Sequence, residues 1–247
     1  MATTLSCSTT PGVHTFEQAN KDTTSVLCIG MEKSKYGECT GSQLDALRMF
    51  GLLSRSYSKH ATILISEQAT RATVIQKMIE TCQNDLAIIF YSGHGGEKRQ
   101  TETTKENFPE PSGKDQHLCL YDNYLLDDEI WEIICQAKGR VVLIFDCCHS
   151  ATMYRSPMAF GAKPSNGTFG ARAVPNMLCI SGCPDDSFSY GDKNGGLLTN
   201  AILKCLKEDR TYEKVWKILH ADSELNTQEK VQFAEFGESF KDFLIFR

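Results

Sequence analysis

The chain has 247 residues, of which 41% are hydrophobic and 23% charged. This globular balance excludes a disordered or collagen-like chain, and the length fits one large α/β domain. The 26 basic and 31 acidic side chains give a net charge of −5, which does not favour a protein that binds nucleic acid through an overall basic surface.

The amino-terminal segment is rich in Ser and Thr and lacks a basic stretch followed by an apolar one, so no secretory signal is predicted. No apolar run approaches the roughly 20 residues that a membrane-spanning helix needs. We therefore expect a cytoplasmic protein, in which most of the 11 cysteines are small buried side chains. Residues 1–24 are interpreted as an arm and residues 25–247 as one domain.

Strands and helices alternate along this domain. Short apolar runs predict buried strands, and apolar residues at helical spacing predict amphipathic helices. In chain order, these are strand 26–30, helix 42–55, strand 61–65, helix 68–83, strand 85–91, helix 126–137, strand 141–145, strand 177–181, helix 197–206, helix 211–220 and an edge strand at 240–246. Residues 97–114 and 151–173 are predicted loops. The alternation predicts a mostly parallel sheet with helices on both faces.

Two of the predicted strands end in polar sequences that can carry chemistry. Strand 85–91 continues into SGHGG at 92–96, and strand 141–145 continues into DCCHS at 146–150. In parallel sheets, active sites lie beyond the carboxyl ends of the strands. If the two strands are neighbours, we expect the histidine and the cysteines to meet at that edge.

A cysteine nucleophile needs a neighbouring base and backbone donors for the developing oxyanion. His94 would supply the base, and the N–H groups of Gly95 and Cys148 would supply the donors. Residue types alone leave two alternatives: a structural cysteine beside a turn histidine, or a metal site at 147–149. Against the metal site, adjacent cysteines do not easily point at one ion, and no Cys-x-x-Cys pair completes a zinc site.

These two sequences resemble the histidine and cysteine motifs of metacaspases, caspase-like cysteine peptidases of the clan that also contains caspases and paracaspases. The resemblance extends over most of residues 25–205. It implies a caspase-like three-layer sandwich and cleavage of peptide bonds after Arg or Lys. Its motifs make Cys148 the nucleophile and His94 the group that activates it and protonates the leaving amine; His149 is not the base.

The resemblance also maps the primary specificity pocket to Asp45, Ser92 and Asp146. Two carboxylates at a buried site would select a guanidinium or ammonium group through charge-assisted hydrogen bonds. Taken alone, Asp45 is equally consistent with a solvated helix carboxylate. Asp146 ends an apolar strand, where an unpaired buried carboxylate would be costly. Caspases proper cleave after Asp and would need a basic pocket.

Many metacaspases are activated by calcium, and the residues that match the calcium cluster are Asp115, Asp127 and Asp128. Carboxylate oxygens suit Ca²⁺, although acidic residues at 127 and 128 are also typical of a helix amino terminus. The family pattern has an aspartate seven residues after the nucleophile, where this chain has Arg155. A cation there would repel the ion. We therefore expect no cofactor in the chemistry and weak or absent activation by calcium.

The loop 151–173 carries Arg155, Lys163 and Arg172, so a peptidase of this specificity could process itself there. Expected partners are protein or peptide substrates with Arg or Lys at the cleavage site, without nucleic acid or membrane, and the expected state is a monomer.

The alternative function is that of a catalytically weak homologue with a regulatory or binding role. Legumain-like and gingipain-like peptidases share similar motifs, but the DCCHS sequence and the cytoplasmic composition favour a metacaspase.

Overall fold

The computed structural model describes residues 23–56, 60–101, 113–148, 175–182, 191–205, 210–228, 231–237, 239–240 and 244–246. The strands are β1 (Thr24–Gly30), β2 (Lys33–Ser34), β3 (Gly37–Glu38), β4 (Ala61–Ile65), β5 (Leu86–Ser92), β6 (Gly95–Arg99), β7 (Lys114–Cys119), β8 (Tyr124–Leu126), β9 (Arg140–Asp146), β10 (Met177–Ser181), β11 (Gly191–Asp192), β12 (Gly195–Gly196), β13 (Arg210–Thr211), β14 (Gln232–Phe236) and β15 (Leu244–Phe246). The helices are α1 (Ser42–Ser56), α2 (Arg71–Cys82), α3 (Asp127–Ile134), α4 (Leu197–Cys205), α5 (Tyr212–Ala221) and α6 (Ser223–Gln228), and a 3₁₀ turn spans Ser66–Gln68.

A six-stranded sheet forms the centre of the molecule, in the order β14-β10-β9-β5-β1-β4. Its strands are parallel except β14, which pairs antiparallel with β10. The five parallel strands are almost fully apolar because both faces of the sheet are covered. β5 and β9 are direct neighbours, so their carboxyl ends meet at one edge.

Two apolar clusters lie on opposite faces of this sheet. Alternate residues of each strand pack against α1, α4, α5 and α6 on one face. The intervening residues pack against α2 and α3 on the other. The two helical layers and the sheet make the predicted three-layer α/β arrangement, and the five predicted parallel strands and five predicted helices are confirmed within a few residues of their predicted ends. No helix among the described residues is long and apolar enough to cross a membrane.

The prediction of an edge strand at 240–246 is wrong. The edge strand of the central sheet is Gln232–Phe236, and Leu244–Phe246 pairs instead with Arg210–Thr211. Phe240, expected in the edge strand, is a core residue whose ring packs edge-on against Tyr212. The sequence QFAEF at 232–236 was missed because its residues are only partly buried and include a glutamate.

The predicted loop 97–114 is also partly wrong. Its two ends belong to β6 and β7, which pair antiparallel and join β8 in a three-stranded sheet. β6 has the polar sequence GGEKR, whose strand conformation is stabilised by pairing rather than by burial of apolar side chains. The predicted loop 151–173 and most of the predicted arm lie outside the described residues.

Candidate active site

The carboxyl ends of β5 and β9 form the floor of a cleft. Ser92, the last residue of β5, pairs with Asp146, the last residue of β9. A cavity of about 300 Å³ opens above them. Its lining residues are Glu38, Cys39, Thr40, Ser42, Asp45, Ser92, Gly93, His94, Asp146, Cys148 and Gly196. The fold thus brings the predicted nucleophile, the predicted base and all three predicted pocket residues to one cavity.

The imidazole of His94 is oriented by a backbone carbonyl. Its Nε2 lies 2.9 Å from the carbonyl oxygen of Glu38, at the end of β3. A carbonyl oxygen only accepts, so Nε2 carries the proton in this hydrogen bond and Nδ1 is the nitrogen that can accept one. This contact could not be predicted from the sequence, because any residue at 38 supplies the same carbonyl.

Hydrogen bonds to its carbonyl oxygen fix the backbone at His94. The hydroxyl group of Tyr91 lies 2.8 Å from the carbonyl oxygens of both His94 and Cys119. The N–H of Cys119 also donates to the carbonyl oxygen of His94, at 2.9 Å. These contacts attach the histidine loop, residues 93–94 between β5 and β6, to β7, since Cys119 is the last residue of that strand.

Among the described residues, Cys39, Cys147 and Cys148 lie at or beside this cleft, but they differ in access. Cys148 is half-buried and lines the cavity, whereas Cys147 is only 1% exposed and packs in the core. Cys39 also lines the cavity, but burial raises the pKa of its thiol. A raised pKa keeps a thiol protonated and less nucleophilic, so the arrangement favours Cys148 as the nucleophile.

Gly95 lies directly against the backbone of Cys148. A Cβ atom on Gly95 would overlap the carbonyl oxygen of Cys148, so this close approach requires glycine. The two residues predicted to donate to the oxyanion are therefore adjacent in space. Their role as donors stays a prediction.

The two predicted pocket carboxylates are buried and each accepts hydrogen bonds. Oδ2 of Asp45 accepts from the Ser92 hydroxyl and from the N–H of Gly196, both at 2.9 Å. Oδ2 of Asp146 accepts from the N–H and the hydroxyl of Thr199, at 2.9 and 2.6 Å. Asp45 is 1% exposed, which contradicts the alternative of a solvated helix carboxylate.

One carboxylate oxygen of this pocket lacks a donor. Oδ1 of Asp45 is buried and has no hydrogen-bond partner among the described residues. Burial and, to a smaller extent, the negative charge of Asp146 raise the pKa of Asp45 to about 7, although the hydrogen bonds from Gly196 and Ser92 act in the opposite direction. A cationic ligand would supply both the missing donor and the opposite charge.

The segment that closes the pocket was not found by sequence analysis. Gly195 has φ of +100°, and a Cβ on it would overlap Asp45. A Cβ on Gly196 would overlap the carboxylate of Asp146. The Gly-Gly pair lets the backbone approach both carboxylates, and Thr199 follows in the first turn of α4. The sequence signal that could have identified this segment is the pair of glycines directly before the predicted helix 197–206.

The predicted calcium residues also converge. Asp115 on β7 and Asp127 and Asp128 at the start of α3 are buried, and one ligand atom of each lies within 4.8 Å of those of the other two. Oδ1 of Asp115 accepts from Gln100 Nε2 at 2.7 Å, while its buried Oδ2 has no hydrogen-bond partner in the described part of the chain. Three buried carboxylates, one of which has an oxygen without a hydrogen-bond donor, fit a hard cation such as Ca²⁺. Arg155 lies outside the described residues.

Comparisons with known proteins identify the family of this chain. A family model described as a caspase domain matches residues 24–236. Inactive metacaspase-4 of Trypanosoma brucei brucei is 26% identical over 187 residues, covering 64% of this chain and 52% of that protein. Metacaspase-3 of Trypanosoma cruzi strain CL Brener is 32% identical over 127 residues, covering 44% and 34%. The chain thus matches about half or less of the length of these relatives.

Solved structures support the same fold. A protein from Geobacter sulfurreducens aligns with a TM-score of 0.67 at 23% identity, covering 89% of this chain and 96% of that one. Caspase-1 from Spodoptera frugiperda aligns with a TM-score of 0.58 at 10% identity, covering 90% and 89%. The predicted caspase-like sandwich is therefore confirmed. The chain belongs to the caspase domain family, a family of cysteine peptidases, and is a metacaspase-type, caspase-like protein.

Proposed function

We propose that this protein is a cysteine endopeptidase that cleaves peptide bonds after Arg or Lys. The observation that carries the proposal is a single cavity that holds an accessible thiol, an imidazole of defined orientation and two buried carboxylates. A basic substrate side chain would enter between Asp45 and Asp146, with its scissile carbonyl above Cys148.

The selectivity follows from charge. The pocket already satisfies Oδ2 of each carboxylate through Ser92, Gly196 and Thr199, so the substrate does not need to supply those bonds. Oδ1 of Asp45 remains for a guanidinium or ammonium donor. A carboxylate side chain in the same place would add a third negative charge to a buried site, which excludes cleavage after Asp.

The proposed reaction uses two residues of the chain for bond making. Nδ1 of His94 takes the thiol proton while the sulfur of Cys148 attacks the carbonyl carbon. The N–H groups of Gly95 and Cys148 stabilise the oxyanion. Collapse of the tetrahedral intermediate breaks the C–N bond and leaves a thioester on Cys148. His94 gives the proton to the leaving amine in this step. Water, deprotonated by His94, then hydrolyses the thioester and regenerates Cys148.

Calcium would act away from these steps. Asp115, Asp127 and Asp128 would hold the ion, whose charge offsets the repulsion between three buried carboxylates. β7 connects this cluster to the histidine loop through Cys119. We propose that the ion is not needed for the chemistry and that Arg155 weakens its binding. A cytoplasmic location, a monomeric state and self-processing in the loop 151–173 stay predictions.

A regulatory role remains the second candidate, since one relative is named an inactive metacaspase. Covalent labelling separates the two. A peptidyl-Arg chloromethyl ketone should alkylate the protein at Cys148, and the matched peptidyl-Asp reagent should not. Mass spectrometry of the digested adduct locates the site, with Cys147→Ala as the control variant that keeps the nucleophile. Labelling by neither reagent would favour the regulatory role, and equal labelling by both would contradict the selectivity for basic side chains.

A further inference from the structure

Beside the histidine loop lies a group of side chains that the proposed reaction does not use. It consists of Lys35, Tyr36, Lys98 and Tyr124, which we call the aromatic–lysine patch. The rings of Tyr36 and Tyr124 are 5.4 Å apart. Lys35 Nζ lies 5.0 Å from the ring centre of Tyr36, and Lys98 Nζ lies 5.3 Å from that of Tyr124. The group joins the β2–β3 hairpin to β6 and β8.

The two lysines of this patch keep their charge available. Nearby Lys33 and Lys114 form ion pairs with Glu38 and Glu97. No ion pair to Lys35 or Lys98 occurs within the described ranges. An ammonium group over an aromatic face is attracted by the ring without being neutralised, so the patch presents two positive charges. Lys35 and Tyr36 are exposed and Lys98 and Tyr124 are half-buried, so the patch is open to solvent mainly on the side of the hairpin.

The patch is continuous with the catalytic cavity. The hairpin that carries Tyr36 ends at Glu38, whose carbonyl orients His94. A Cβ on Gly37 would lie 3.8 Å from Nε2 of His94, so the hairpin passes against the imidazole. On the other side of the patch, β6 begins at Gly95, one residue after His94. Residues bound on this surface would therefore be within reach of His94.

The chemistry then assigns a direction to the substrate. The basic side chain before the scissile bond occupies the carboxylate end of the cavity, at Asp45 and Asp146. His94 gives its proton to the leaving amine, so the residues that follow the scissile bond leave the cavity past His94. This path leads over the aromatic–lysine patch.

We propose that the aromatic–lysine patch binds the substrate residues that follow the cleaved bond and selects acidic side chains there. The proposal rests on the proposed peptidase function. Two exposed charge pairs, each contributing a few-fold, give an expected preference of about tenfold for acidic over basic residues. The chain as a whole carries a charge of −5 and would favour basic peptides, so such a preference has to arise locally.

The test uses two peptides that share an Arg cleavage site and differ only in the next residues, Glu-Glu in one and Lys-Lys in the other. We expect kcat/KM to be about tenfold higher for the acidic peptide at low salt, and the ratio to shrink at high salt. In the double variant Lys35→Glu, Lys98→Glu the ratio should fall below one. The matched control is Lys138→Glu, an exposed site before β9, at the opposite end of the sheet; it should keep the wild-type ratio.

A wild-type ratio of one, or the same ratio in the double variant and the control, would overturn the assignment. The ratio of two peptides cancels a general loss of activity, so a partly destabilised variant remains informative. Binding of both peptides to Cys148→Ala, measured by fluorescence anisotropy, separates the two proposals. Tighter binding of the acidic peptide without cleavage by the wild type would support the patch and refute the peptidase function. Cleavage of both peptides without preference would support the peptidase function and refute the patch.

Discussion

Two clusters of buried carboxylates in this protein have different surroundings. Asp45 and Asp146 line an open cavity, and each has hydrogen bonds from groups on β5, β12 or α4. The cluster of Asp115, Asp127 and Asp128 is closed among β7 and α3, away from that cavity. An open cluster with donors already in place suits a cation that arrives on a substrate. A closed cluster suits a small ion that is surrounded by carboxylates.

The largest expected difference between the clusters is in catalysis. Asp45→Asn should lower kcat/KM for an Arg peptide by about 100-fold, because it removes the charge that a buried guanidinium would pair with. Asp115→Asn makes the same chemical change in the closed cluster and should cost less than tenfold when a chelator is present. Steady-state kinetics on both variants gives the comparison. Equal losses would mean that the two clusters do not have separate roles.

The second difference is a dependence on pH. The pKa of Asp45 is about 7, so its ionised fraction falls about tenfold between pH 8 and pH 6. Agmatine, a small guanidinium compound, should bind Cys148→Ala about tenfold more weakly at pH 6 than at pH 8. Titration calorimetry across this range measures the effect without catalysis. The further variant Asp45→Asn should bind weakly at both pH values; a pH-independent affinity in Cys148→Ala itself would show that Asp45 does not titrate with ligand binding.

The smallest effect concerns calcium and thermal stability. Millimolar Ca²⁺ should raise the melting temperature of the wild type by a few degrees, because an ion that binds the folded state stabilises it. Micromolar Ca²⁺ should have no effect if Arg155 opposes binding. Arg155→Asp should shift the response to lower concentrations, Asp128→Asn should abolish it and Asp45→Asn should keep it. A wild type that responds fully to micromolar Ca²⁺ would contradict the role given to Arg155.

How much the sequence predicts depends on whether a contact uses side chains or backbone. Strands β5 and β9 are apolar runs that lead into SGHGG and DCCHS, so the meeting of His94 and Cys148 at one edge followed from pattern and topology. The location of Asp45 in the pocket came from the resemblance, because a single aspartate on a helix has no distinguishing pattern.

Contacts made by the backbone were not predictable in the same way. The Glu38 carbonyl that orients His94 and the Gly196 N–H that binds Asp45 could belong to any residue type. β14 was missed because pairing with β10, rather than an apolar run, makes it a strand. The aromatic–lysine patch joins residues almost 90 positions apart, which only the fold brings together.

The central claim is that one cavity combines a Cys148 nucleophile with a pocket for basic side chains. Its most direct test is the cleavage of matched fluorogenic peptides that end in Arg, Lys or Asp, by the wild type and by Cys148→Ala, with and without a chelator. The account predicts turnover of the Arg and Lys peptides by the wild type alone, in both conditions, and none of the Asp peptide. Turnover of the Asp peptide, or of any peptide by Cys148→Ala at the wild-type rate, would contradict it.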